Sequence, residues 1–201
     1  SADFQQTTDG GFIIVGSTSS FGSTNTEDVW LIKTDSNGEE EWNKTFGGNS
    51  IDRATSLQQT SDGGYIIIGY TYSFGNGHFD FWLIKTDSNG EEEWNKTFGG
   101  GKSDTGNSIK QTPDDGFIIV GNTYSFGNGD GDVWLIKTDS NGEEEWSKTF
   151  GGKYSDASNS IQLVPGNGYI IVGNTVIAEN DPSDVWLIKT DSNGNEQWNK
   201  T

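Results

Sequence analysis

Two kinds of hydrophobic pattern alternate along the chain. The first is unbroken: FIIVG at 12–16, YIIIG at 65–69, FIIVG at 117–121 and YIIVG at 169–173, each followed by DVWLIK at 28–33, 132–137 and 184–189 or by DFWLIK at 80–85. Runs this short and this continuous predict strands covered on both faces. The second kind alternates. In EWNKTF at 41–46, Trp42 and Phe46 point one way while Glu41, Asn43 and Thr45 point the other, as in an outer strand with one face in water.

These patterns recur with a step of 52 residues, seen in Trp30, Trp82, Trp134 and Trp186 and again in Trp42, Trp94, Trp146 and Trp198. WLIKTDSNGEEEWNKTFGG is identical at 30–48 and 82–100, and 134–152 differs only by Ser147. One period predicts four strands: A over Ala54–Thr60, B over Tyr65–Tyr70, C over Phe81–Thr86 and D over Glu92–Phe98. Asp62-Gly63-Gly64 makes the A–B turn. Asn89-Gly90 makes the C–D turn, with a residue pair suited to positive φ in a tight hairpin.

Small sheets with two buried central strands satisfy this pattern by stacking face to face around an axis, which makes the expected fold an all-β β-propeller of four-stranded antiparallel blades. The chain 1–201 reads as a single unit with blades near 1–48, 49–100, 101–152 and 153–201. A straight solenoid is the competing arrangement, and it leaves two end sheets uncovered. Both Trp series are expected at the packing between blades.

The unit WNKTFGG-NSID-RATSLQQTSDGGYIIIGYTYS followed by FDFWLIKTDSNG resembles the SBBP type of β-propeller repeat, with its glycine pair, Asp, DGG-type turn and D-x-x-x-K-x-D-x-x-G stretch. DSNGEEEW is also similar to the D-x-x-x-G-x-x-x-W end of quinoprotein-type blades, where the Trp docks between sheets. The resemblance implies a propeller, often on extracellular or cell-surface proteins and usually without an assigned activity.

Composition narrows the partners. A formal charge of −18 with only 12 lysines and arginines disfavours nucleic acid and acidic lipid surfaces. No run approaches the ~18 apolar residues of a membrane span. Without cysteine there is neither a disulfide framework nor thiolate chemistry. The absence of any methionine, the first residue included, is not expected of an intact translation product and leaves a leader or further domains open.

Up-and-down strands place the A–B and C–D turns at one end of each blade and the B–C and D–A connections at the other. The first end is repetitive, with DSNG in every C–D turn. The second varies: SSFGSTNTED, YSFGNGHFD, YSFGNGDGD and VIAENDPSD between B and C, and GGNSIDRA, GGGKSDTG and GGKYSDAS between D and A. Variable loops on a rigid frame are where partners bind. The candidate residues on that face are Asp52, Arg53, His78, Asp80, Lys102, Asp104, Tyr154 and Asp156. Asp52, Asp104 and Asp156 in the D–A loops, and Asp28, Asp80, Asp132 and Asp184 before each strand-C Trp, are expected to accept backbone N–H bonds and fix loop shape.

Asn128, Asp130 and Asp132 are spaced like alternate oxygen ligands of a calcium loop, but the distal bidentate Glu is missing. No other cofactor is expected. His78, the single histidine, has no nucleophile motif around it, and a repeated chain supplies few unique residues for one active site. Asn43, Asn95 and Asn199 open N-x-T sequences on the predicted solvent side of strands D.

The functional expectation is therefore a non-enzymatic, extracellular or cell-surface binding or scaffolding module that holds a protein or glycan at its loop face. A lectin with one shallow site per blade is the alternative, and a glycoside hydrolase or lyase is a third. The chain opens inside a strand A and stops inside a strand D, so no terminal strand completes another blade. Apolar faces would remain at both ends, and two chains meeting through a two-fold axis as an eight-bladed homodimer are expected, against a closed four-bladed monomer or part of a longer ring.

Overall fold

The computed structural model describes residues 2–22, 26–166 and 168–201, and they form sixteen strands and no helix. The strands are β1 (Asp3–Gln6), β2 (Phe12–Thr18), β3 (Asp28–Thr34), β4 (Glu40–Phe46), β5 (Asp52–Gln59), β6 (Tyr65–Thr71), β7 (Asp80–Thr86), β8 (Glu92–Phe98), β9 (Asp104–Gln111), β10 (Phe117–Thr123), β11 (Asp132–Thr138), β12 (Glu144–Phe150), β13 (Asp156–Val164), β14 (Gly168–Thr175), β15 (Asp184–Thr190) and β16 (Glu196–Lys200). Each consecutive set of four makes one antiparallel sheet in chain order. The chain is a β-propeller built of four-stranded blades. Residues 23–25, in the first B–C segment, lie outside the described residues.

In the second blade strands A, B and C differ from their predicted limits by one or two residues at an end, and strand D matches its limits. Strand A opens at Asp52 and strand C at Asp80, because Thr71 pairs with both in the ladder, and the Asp52 amide also donates to Glu27 O (2.7 Å) of the preceding blade, as the Asp104 amide does to Phe79 O (2.5 Å). The tight positive-φ pair expected at the C–D turn is corrected. Gly90 alone has positive φ (76°), and the Asp87 carboxylate accepts the amides of Asn89 (2.8 Å) and Glu91 (2.9 Å), so this Asp, not a two-residue hairpin loop, shapes the turn.

Each blade has a forward face, toward the next blade in the chain, and a rear face. At the first junction Ile13, Val15, Val29, Leu31, Phe46 and Trp42 pack against Ala54, Leu57, Tyr65, Ile67, Trp82 and Ile84, and the other two junctions repeat this. Trp82, Trp134 and Trp186 are buried there, and Trp42, Trp94 and Trp146 each lie against the Tyr65, Phe117 or Tyr169 ring at 5.9–6.3 Å.

Strands A are innermost. A bulge in β5, β9 and β13 leaves Thr55, Asn107 and Asn159 unpaired in the ladder, and the Thr55 hydroxyl donates to Gly106 O (2.6 Å) and Asn107 Nδ2 to Ser158 O (2.7 Å) in the following blade.

Candidate functional site: the loop face

The Asp that opens β5, β9 and β13 shapes the variable end of the molecule. Asp104 Oδ2 accepts Gly100 N (2.9 Å) and Ser125 Oγ (2.7 Å), while Oδ1 accepts Thr123 Oγ1 (2.5 Å), Tyr124 N (3.2 Å) and Ser125 N (3.3 Å). Asp52 repeats this with Gly48 N, Ser73 Oγ and Thr71 Oγ1. Asp156 accepts Gly152 N at 2.8 Å. In the second and third blades one carboxylate therefore ties the D–A connection to the B–C loop of its own blade.

Asp28, Asp80 and Asp132 of the strand-C series are buried as well. Asp80 accepts Asn76 N (2.5 Å), and Asp132 accepts Asn128 N (3.0 Å) and Gly129 N (3.1 Å). Gly99 and Gly151 lie where a Cβ would meet the Asp80 and Asp132 carboxylates, which explains the glycine after each strand D. Burial pushes the Asp80 and Asp132 carboxyls above the usual range, with Asp104 and Asp156 adding like charge. Asp184 is exposed.

Six of the loop-face candidates thus divide by depth. Asp52, Asp80, Asp104 and Asp156 are buried and cannot reach a partner, whereas His78 and Lys102 are exposed. His78 lies 6.1 Å from the Tyr72 ring, and the Lys102 amide donates to Ser125 Oγ. Arg53 is committed to an ion pair with Glu27 and donates to Tyr70 OH (3.2 Å). Tyr154 is half-buried, with Lys153 Nζ 5.3 Å from its ring.

The structure places Asn128, Asp130 and Asp132 in the third B–C loop. Asp132 turns inward onto backbone amides while Asp130 stays exposed, and among the described residues no group of three or more His, Cys, Asp or Glu side chains could hold a metal ion.

The surface of this face is aromatic, which the loop pattern alone did not single out. Tyr72 and Phe74 in the second B–C loop are 47% and 43% exposed, and Tyr124 and Phe126 in the third are 48% and 45% exposed. Phe21 holds the corresponding position in the first loop. The signal was present as the repeated Ser-Phe-Gly. Each Phe leans on its blade's strand-C Trp, at 5.3 Å for Phe21–Trp30, 5.3 Å for Phe74–Trp82 and 4.9 Å for Phe126–Trp134.

On the flank below these loops, the sequon asparagines are exposed and hydrogen bonded. Trp30, Trp82 and Trp186 donate Nε1 to Asn43, Asn95 and Asn199 at 3.2, 3.3 and 3.2 Å, and each Asn donates Nδ2 to Glu40, Glu92 or Glu196. In the third blade no such bond joins Trp134 to the shorter Ser147. A groove of about 410 Å³ opens there, lined by Phe126, Trp134, Glu144, Ser147, Lys148 and Thr149.

The opposite end is braced by a device the strand pattern conceals. Lys33, Lys85 and Lys137 are buried, each with Nζ 2.8–3.0 Å from an A–B turn Asp and from the bulged Glu of strand D: Asp9 and Glu41, Asp62 and Glu93, Asp114 and Glu145. The ammonium and the Thr60 hydroxyl hold Asp62 down at about 2 against the upward push of its burial. Between the third and fourth blades a cavity of about 480 Å³ exposes part of this brace, where Leu163 and Val164 replace the polar turn.

No protein-family model and no curated protein matches the chain. Among solved structures, the chain is similar to the crystal structure of a "putative exo-beta-1,3-galactanase" from Bifidobacterium bifidum S17, with a TM-score of 0.56 at 12% identity, covering 98% of this chain and 70% of that one. A eukaryotic initiation factor aligns at a TM-score of 0.38 and 10% identity, over 98% of this chain and 54% of that one. The first likeness is one of fold.

Proposed function

We propose that this protein is a non-enzymatic binding or scaffolding module, extracellular or at the cell surface, that holds its partner on the loop face. The supporting observation is the set of exposed aromatic side chains, Tyr72 with Phe74 and Tyr124 with Phe126, standing on loops whose backbone is pinned by buried carboxylates. Rigid aromatics bury large area on binding at little entropic cost. The carboxylates beneath them are occupied by backbone and hydroxyl donors, which argues for a structural role over acid–base chemistry. The placement outside the cell rests on the SBBP resemblance, and the exposed Asn43, Asn95 and Asn199 would be glycan acceptors there.

A carbohydrate partner is the second reading, favoured by the equivalence of the aromatic pairs in successive blades, since a ring face suits the C–H face of a sugar. The test is a glycan array run beside a panel of purified secreted proteins, each positive repeated with Tyr72→Ala/Tyr124→Ala. Loss of binding in that variant supports the loop face. Binding that survives it but is lost in Glu91→Ala, at the opposite end, overturns the reading.

A further inference from the structure

The two ends of the blade array carry the two halves of the junction already present three times inside it. On the forward face of the fourth blade Val185 is 63%, Leu187 38% and Trp198 40% exposed, whereas Val133 and Leu135, at the same positions one blade earlier, are fully buried. On the rear face of the first blade Phe4 is 70% exposed, whereas its equivalent Leu57 is 4% exposed. No packing like that of the interior junctions joins β13–β16 to β1–β4.

The uncovered halves also match in shape. At each interior junction the strand-D Trp of one blade lies on the aromatic that opens strand B of the next and over the C–D glycine, as Trp42 does with Tyr65 and Gly90, whose Cβ position is 2.5 Å from the indole. The first blade has this seat without its indole: a cavity of about 320 Å³ lined by Phe4, Phe12, Ile14, Thr34 and Gly38, among others. Phe12 stands where Tyr65 stands, and Gly38 where Gly90 stands. Trp198 is the indole without a seat.

Charge follows the same register. Lys44 pairs with Glu91 across the first junction and Lys96 with Glu143 (2.6 Å) across the second. At the third junction the same positions hold Lys148 and the uncharged Asn195, and one further period on Lys200 of the fourth blade is matched by Glu39 of the first.

We infer that a second copy of this chain docks head to tail, seating Trp198 in the Phe12–Gly38 cavity, Val185 on Trp30 and Lys200 on Glu39, and that two copies doing so reciprocally close an eight-bladed ring. A head-to-tail contact either closes or grows without limit. Closure by two copies buries both sets of apolar ends at once. The inference is independent of what the loop face binds.

The test is light scattering and sedimentation on the 201-residue chain at micromolar concentration. The expected mass is twice 21.9 kDa. Val185→Lys, which alters an exposed side chain, should give a single-chain mass with an unchanged circular dichroism spectrum. Lys200→Glu and Glu39→Lys should each weaken the dimer several-fold, and their combination should restore it. A monodisperse single chain, a mass that keeps rising with concentration, or a dimer indifferent to Val185→Lys overturns the inference.

Discussion

Leu135 and Leu187 occupy the same position of strand C in adjacent blades, and one is fully buried while the other is 38% exposed. Truncation to Ala at both sites is a controlled comparison, because backbone, neighbours in sequence and chemistry are shared. At Leu135 the change removes a branched side chain enclosed between the third and fourth blades and leaves a cavity, which predicts a loss of about 3 kcal/mol. At Leu187 only part of the side chain is covered and water fills the space, so a scaled transfer cost of about 1 kcal/mol remains. The assay is urea unfolding in a Val185→Lys background, which keeps the terminal face uncovered. With a slope of ~2 kcal/mol/M the two midpoints should differ by about 1 M. Equal losses would mean that the fourth blade's forward face is already covered within one chain, and the account of the uncovered ends would fall with it.

Other outcomes follow from single features. Asp80→Asn should stabilise by ~1 kcal/mol at pH 7, since Asp80 Oδ1 is buried without a partner among the described residues and the carboxylate repels Asp104. Because the folded pKa is raised, the penalty is full above it and vanishes below the unfolded value, so the gain should shrink as pH falls into the ordinary carboxylate range; no gain at pH 7 refutes it. Ser147→Asn should add the Trp134 Nε1 bond that the other blades have, for about 0.5–1 kcal/mol measured by thermal unfolding, and an unchanged midpoint would show that Trp134 does not need it. Millimolar calcium should move the melting temperature only slightly, and a shift beyond about 10 °C abolished by Asp130→Ala would establish an ion site in this loop.

The blades were legible in the sequence because both signals that define them are local. FIIVG and DVWLIK can only be strands covered twice, and the 52-residue step sets their number without reference to tertiary structure. Depth was less legible. Asp52 and Asp104 read as loop-face candidates and as carboxylates that accept backbone N–H bonds to fix loop shape; they do accept the Gly48 and Gly100 amides, but they are fully buried, and a hydroxyl 19 residues later in strand B completes their shell. No local pattern carries that spacing. The buried Lys33 was hidden for a related reason: it closes the apolar run of strand C, and its two counter-ions come from an A–B turn and a bulge on a different strand.

The two ends of the blades differ in how strongly each holds its backbone, and this bears on where variation is tolerated. At the A–B and C–D end a single lysine must meet a turn and a bulged strand at once, so a change in any one of Lys85, Asp62 or Glu93 leaves the other two with an unmatched charge. The fourth blade illustrates the consequence: with no Asp in its A–B turn, Lys189 is only half-buried and donates to Gln197 instead. At the other end the Asp104 carboxylate takes most of its bonds from backbone amides and from two hydroxyls close to the strand, and these do not specify the side chains beyond Ser125. A loop anchored through its backbone near its root is free to change residues at its tip. The pinning at Asp52 and Asp104 is thus what permits Tyr72, Phe74, His78, Tyr124 and Phe126 to be displayed on a frame that does not depend on them.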